Sequence, residues 1–311
     1  MTTLQYRKKL FAVAVIFTMA CGISKGQQQE QQFNPVEVDI PYARLSDCNK
    51  LDVYIPENGK KPYPVIIGIH GGAFWAGDKQ AESFVYKNGL DRGYAVVCIN
   101  YRLSQEAKFP AQIHDVKAAI RWVRAHAKDY GFDPHRVAVW GTSAGGYLSA
   151  MAGTSGDVAE LEDLSMGYAD QSSRVQAVVD WYGPINFLTM DSQDKETGMK
   201  PIMDIGHDDP DSPESALMGT PIQEIPEQVA KANPETYISA DDPPFYIQHG
   251  LADDHVHWKQ SISLAEKLQH VLGKDKVSLH LWENVGHGTD QFFTPENYVK
   301  SLDFLDKIFK K

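Results

Sequence analysis

Cysteine is scarce: the 311 residues hold three, Cys21, Cys48 and Cys98. A disulfide-built scaffold is thereby excluded. No cysteine stands at ligand spacing from others, so a zinc cluster has no basis. Cys98 lies within Val96-Val97-Cys98-Ile99 and reads as a small apolar core residue, so it and Cys48 are expected to stay unpaired. No apolar run approaches the roughly 20 residues that a membrane-spanning helix needs. Basic charge is also in deficit, with 30 Lys and Arg against 41 Asp and Glu, a net charge of −11. A body this acidic repels phosphate backbones and anionic lipid, so nucleic acid is not an expected partner. Internal repeats are absent too, which argues against solenoids and propellers.

The N-terminus differs from the rest. Arg7, Lys8 and Lys9 precede the twelve-residue run Leu10–Cys21, and small and polar residues follow through Gly26. That charged, apolar, small-residue order is the order of a secretory signal. Residues 1–26 are therefore expected to be a signal peptide, with Ser24 and Gly26 before the cut and a Gln-rich linker over 27–35. The alternative is lipidation of Cys21, for which Thr18-Met19-Ala20 is a weak version of the preceding box. Either route implies export to the periplasm or beyond. Loss of residues 1–26 removes four basic residues and no acidic one, taking the charge from −11 to −15.

From Val36 onward the pattern is that of one α/β domain, 36–311. Apolar, β-rich runs occur at Leu51–Ile55, Val65–Ile69, Tyr94–Ile99, Val137–Trp140, Val175–Val179, Phe245–Ile247 and Val277–Trp282. Most lack strict alternation, as strands covered on both faces do. Between them, Ile113, Val116, Ile120, Val123 and Ala127 share one helical face. Ile262, Ala265, Leu268 and Leu272 do the same, as do Tyr298, Leu302, Leu305 and Phe309. Strands alternating with such helices predict a parallel sheet flanked by helices. Gly183 to Asp242 breaks the rhythm, and an insert of this length, about 184–242, predicts a lid or binding loop.

Chemistry is concentrated where strands end. Gly141-Thr142-Ser143-Ala144-Gly145-Gly146 follows the strand Arg136–Trp140 and opens a helix through Tyr147, Leu148 and Met151. A G-x-S-x-G between strand and helix forces a sharp turn that lifts the Ser143 hydroxyl above the sheet. His70-Gly71-Gly72-Ala73-Phe74-Trp75 follows Val65–Ile69, and its glycines let backbone amides approach a ligand. The amides of Gly72, Ala73 and Ala144 are the expected oxyanion hole. His249-Gly250-Leu251-Ala252-Asp253-Asp254-His255-Val256 follows Phe245–Ile247, and either aspartate can serve as the acid. His287, between Gly286 and Gly288 beyond the last strand, is the expected base. His114, His126 and His270 read as helical, His280 as part of a strand, and His255 and His257 as neighbours of the acid. The order Ser, Asp, His is the α/β-hydrolase order.

On these residues the chain resembles the α/β-hydrolase serine esterases near the hormone-sensitive-lipase-like and bacterial feruloyl-esterase groups. The likeness extends over Leu51-Asp52-Val53-Tyr54, His70–Lys79, Asn100-Tyr101-Arg102-Leu103, Phe109-Pro110, Tyr130–Pro134, the Ser143 turn, Trp181-Tyr182-Gly183-Pro184 and His249–Val256. It implies a mostly parallel eight-stranded sheet with helices on both faces and a small lid between the sixth and seventh strands. It also selects Asp253, three residues after His249-Gly250, as the acid. Two departures bear on substrate. Ala73 replaces the third glycine of the lipase-like group, and its methyl narrows the approach for bulky tertiary alcohols. The N-terminal helical cap of that group is absent, which favours feruloyl- or acetyl-esterase action on polysaccharide substituents.

The reading that results is a carboxylesterase acting through an acyl-enzyme on short-chain acyl or aromatic esters, free or polysaccharide-linked, with no cofactor or metal. Phe74, Trp75, Tyr182, Met190 and Phe292 are the expected substrate-binding side chains. The acidic stretch His207-Asp208-Asp209-Pro210-Asp211 reads as a solvated loop, with calcium the alternative. An exopeptidase of the same fold, or a non-catalytic module, are the rival functions. The first usually carries a propeller for which there is no room, and the second requires a missing triad member.

Overall fold

A computed structural model describes residues 34–200 and 205–310. The expected signal peptide, Cys21 and most of the 27–35 linker lie outside the described residues. Eight strands form one sheet: β1 (Glu37–Pro41), β2 (Lys50–Tyr54), β3 (Tyr63–Ile69), β4 (Ala95–Ile99), β5 (Phe132–Thr142), β6 (Ala177–Trp181), β7 (Phe245–Gly250) and β8 (Val277–Trp282). Their order across the sheet is β1-β2-β4-β3-β5-β6-β7-β8. β2 runs antiparallel to β1 and β4, and the remaining neighbours are parallel.

The described helices are α1 (Ser83–Asp91), α2 (Ala111–Ala125), α3 (Ala127–Tyr130), α4 (Ala144–Thr154), α5 (Met190–Thr197), α6 (Pro213–Met218), α7 (Pro226–Lys231), α8 (Lys259–Leu272) and α9 (Pro295–Phe309). Alternate residues of each strand feed opposite faces. Val65, Ile67, Ile69, Val137 and Val139 pack with Ile113, Val116 and Ile120 of α2 and Leu148 and Met151 of α4. Ile66, Val96, Trp140, Val179 and Trp181 pack with Val85 of α1 and Leu302, Leu305 and Phe309 of α9. Covering both faces is what removes polar alternation from β3 to β7, so the expected α/β-hydrolase architecture holds.

Two local readings are corrected. The helix drawn through Ala127 breaks at His126, where α2 ends and α3 begins. β6 starts at Ala177 rather than Val175, so Asp180 lies inside it. The 184–242 stretch is a connection between β6 and β7 that carries α5, α6 and α7 with short 3₁₀ turns. The α6 start is locally encoded: the Ser212 hydroxyl accepts the Ser215 amide, and Pro213 follows at the first helical position.

β1 carries a bulge. Its pairing with β2 breaks between Glu37 and Ile40, and Asp39 takes φ +54°. The Asp39 amide donates to Asp52 Oδ1 at 2.8 Å, and its carboxylate faces Lys79 Nζ at 2.9 Å. Cys48 and Cys98 are free thiols. No helix among the described residues is long and apolar enough to cross a membrane.

Candidate active site

The carboxyl ends of the parallel strands β3, β5, β6 and β7 lie along one edge of the sheet in that order, the position where loops of parallel sheets build binding sites. Ile69 pairs with Gly141, so the loop after β3 emerges beside the turn after β5. Ser143 occupies that turn with φ +52°, its amide donating to Trp181 O at 2.9 Å. A non-glycine residue at positive φ is strained by about 1–3 kcal/mol and persists only where its surroundings hold it. Here they do: a methyl at Gly145 would lie 2.0 Å from Ile69 O, so the helix start presses directly on β3.

His287 reaches this turn from the loop after β8. Its Nε2 lies 2.9 Å from Ser143 Oγ and its Nδ1 2.7 Å from Asp253 Oδ2. Asp253 is buried, whereas Asp254 is exposed and contacts His255 Nδ1. Asp253 Oδ1 accepts the amides of His255 and Val256, both at 2.9 Å, and Oδ2 also lies 3.1 Å from His249 Nε2. Burial alone would raise this carboxyl. The facing imidazole of His287 and the contacts with His249 outweigh it and hold it well below the usual carboxylate range. Hydrogen bonds therefore run unbroken from a hydroxyl to an imidazole to an ionised carboxylate. That is the arrangement that can activate a serine as nucleophile and return its proton to a leaving group.

His249 was invisible in this role from sequence. It is fully buried, its Nδ1 lies 2.7 Å from Ser261 Oγ, and its Nε2 is shared between Asp253 and Val256 O. A polar residue at the end of an apolar strand was the only available sign.

The loop after β3 turns through three successive positive φ values, at Gly72 (+116°), Ala73 (+53°) and Phe74 (+65°). Gly72 admits no side chain, since a Cβ would meet Ala76 O at 2.1 Å. Gly72 O accepts the amides of Trp75 and Ala76, and Tyr101 Oη donates to His70 O at 3.0 Å, which fixes the loop. Among the described residues, the amides of Gly72, Ala73 and Ala144 donate to no other protein group. Free donors beside a nucleophile suit a developing oxyanion.

Glu82 lies beneath both loops, another residue the sequence reading passed over. It is 2% exposed, and its Oε1 accepts the Thr142 hydroxyl at 3.2 Å. Burial pushes its carboxyl up to about 8, against the lowering bonds from Thr142 and the Gly71 amide. Raised from 4.5, the group stabilises the fold fully below about pH 4.5 and loses that contribution as pH rises to about 8. Glu82→Gln mimics the protonated form. Its melting temperature should gain on wild type by several degrees between pH 5 and pH 8, at about 1.4 kcal/mol per unit of raised pKa. A gap between the two curves that stays constant over this range would contradict a buried, neutral Glu82.

Of the five expected substrate-binding side chains, three offer no surface. Phe74, Met190 and Phe292 are at most 1% exposed, within the core. Phe74 packs edge-on against Tyr147 and Phe187. Tyr182 is also buried but stands edge-on to His287, ring centroids 4.8 Å apart, with Phe292 behind it. Trp75 is partly exposed, and His255 stacks on His287 at 4.9 Å from the solvent side.

Comparison with known proteins gives concordant results. The BD-FAE family model matches residues 51–268. A probable carboxylic ester hydrolase of Mycobacterium tuberculosis, LipM, is 32% identical over 75% of this chain and 52% of its own length. The chain spans about half the length of such curated relatives. Among solved structures, a truncated carbohydrate esterase from gut microbiota is 33% identical, covering 91% of this chain and 99% of that one, with a TM-score of 0.80. A bifunctional GH43-CE protein of Bacteroides eggerthii is 36% identical over 88% of this chain and 38% of that one, with a TM-score of 0.77.

Proposed function

Because the chain belongs to the BD-FAE family of α/β-hydrolase esterases, we propose that it is a serine carboxylesterase with Ser143, His287 and Asp253 as its catalytic triad. The observation that carries this reading is the hydrogen-bonded line from Ser143 Oγ through His287 to Asp253.

In acylation, Ser143 Oγ attacks the ester carbonyl carbon while its proton passes to His287 Nε2. The oxyanion meets the amides of Gly72, Ala73 and Ala144, where one lost donor costs about 3–4 kcal/mol. Collapse breaks the bond to the alcohol, which leaves with the proton from Nε2. Water then attacks the acyl-enzyme with His287 again as base, releasing the acid and restoring the serine. Asp253 keeps the imidazole in the tautomer that leaves Nε2 free to accept, and stabilises its charged form.

The substrates are short-chain acyl or aromatic esters, with acetyl or feruloyl groups on polysaccharide the natural class. Support comes from the likeness to carbohydrate esterases and from the signal-like N-terminus, which would export the enzyme to where such polymers lie. The 184–242 insert is the cover of the site. The Ala73 methyl, beside the proposed oxyanion position, disfavours esters of tertiary alcohols.

The test is a panel of p-nitrophenyl acyl esters, methyl ferulate and acetylated xylan, on protein recovered outside the host cell. Release of acetate or ferulate at least tenfold faster than octanoate is expected, from a chain starting near Gln27. Turnover of none of these esters would overturn the activity, and an intact Met1 would overturn export.

A further inference from the structure

The insert between β6 and β7 gathers a second group of titratable side chains that the proposed hydrolysis does not use. Asp191 and Asp194, three apart on α5, face the same way, and the chain returns to them at His207. One ligand atom from each of Asp191, Asp194 and His207 lies within 4.8 Å of the others. His207 Nε2 stands 4.0 Å from Asp194 Oδ2. That is too far for a hydrogen bond, yet two atoms each about 2.1 Å from one ion can be up to about 4.2 Å apart.

The other side of the imidazole carries a separate sign. Glu214, in the first turn of α6, is 3% exposed, and its Oε2 lies 3.2 Å from His207 Nδ1. That oxygen accepts no hydrogen bond in its present geometry. Leaving a buried carboxylate oxygen in this state is costly unless positive charge sits close by. A histidine whose outer nitrogen faces a carboxylate while its inner nitrogen faces two more is the arrangement of a carboxylate–histidine–metal unit. Among the described residues, no lysine or arginine pairs with Asp191, Asp194 or Glu214, so three carboxylates share one imidazole.

We propose that Asp191, Asp194 and His207 bind a divalent first-row transition-metal ion, with Glu214 orienting the imidazole. The mixed nitrogen and oxygen donors select this class over calcium, which takes six to eight oxygens. Asp191 Oδ1 also accepts the His207 amide at 2.6 Å, which ties the returning loop to α5. The ion therefore joins α5, the loop at His207 and α6 into one unit. Its role is to hold the insert in shape, and it takes no part in ester chemistry.

The experiment uses the full chain, stripped with EDTA and titrated with zinc chloride by calorimetry, alongside melting curves. One equivalent of Zn²⁺ should bind and raise the melting temperature by about 5 °C or more at a hundredfold excess over Kd. Both responses should vanish in His207→Gln and in Asp194→Asn, each checked for folding by circular dichroism, and persist in Asp254→Asn. If both core variants fail to fold, anomalous scattering from zinc-soaked wild-type crystals must place the ion between Asp191, Asp194 and His207. Absence of bound zinc overturns the proposal. So does a response retained in His207→Gln, a stronger response to Ca²⁺ than to Zn²⁺, or an ion at Asp253, Asp254 and His255.

Discussion

Replacing Ser143 with alanine should lower ester hydrolysis by on the order of a million-fold, because a triad acts as a unit and the loss of its nucleophile removes nearly all of its contribution. The fold should be unaffected. The turn is held by the close approach of Gly145 to β3 and by the Ser143 amide on Trp181 O, neither of which involves the hydroxyl. Steady-state rates on p-nitrophenyl acetate, with a melting curve of the same preparation, provide the measurement. A variant within a hundredfold of wild type would remove Ser143 from the mechanism.

The second large effect separates two adjacent aspartates. Asp253→Asn keeps the shape but loses the charge that faces His287, and the amide can offer Nδ1 a donor, favouring the wrong tautomer. A fall of about 10⁴ in kcat is expected. Asp254→Asn should change the rate less than about threefold at moderate salt, since Asp254 is exposed and pairs with His255 rather than His287. A mild loss at 253 with a severe one at 254 would reverse the assignment. Severe loss at neither would move the acid elsewhere. Asp180 would then be the next aspartate to test, although it is buried in β6 and accepts the Gly183 amide.

The reasons for what could be read beforehand are physical. Strands buried on both faces leave continuous apolar runs, so β3 to β7 stood out, and β8 kept enough apolar residues at the sheet edge to be read, while β1, short and solvent-facing, had no such run to betray it. The loops after β5, β7 and β8 follow directly from strand ends, so the sequence alone is enough to bring Ser143, Asp253 and His287 to one edge of the sheet. Glu82 and His249 could not. Glu82 meets Thr142 across 60 residues of sequence, and nothing local to either residue encodes that contact. Phe74, Met190 and Phe292 misled for the converse reason, because an apolar residue beside a site and one behind it look the same in sequence. The helices of the insert are short and rich in polar residues, so their periodicity is too brief to read.

The bulge in β1 has a consequence for how copies of this chain meet. An open sheet edge offers unpaired amides and carbonyls to any strand that passes, and flat edges recruit neighbours into aggregates. β1 is such an edge, but Asp39 at positive φ twists it, and its register with β2 breaks at the same place. Lys79 and Asp52 anchor that distortion from within, so it does not relax into a flat ribbon. An incoming strand would meet an irregular row of donors flanked by the carboxylates of Glu37 and Asp39, with Pro41 lacking an amide at the end. The edge is thus blunted against strand addition by another copy of the chain.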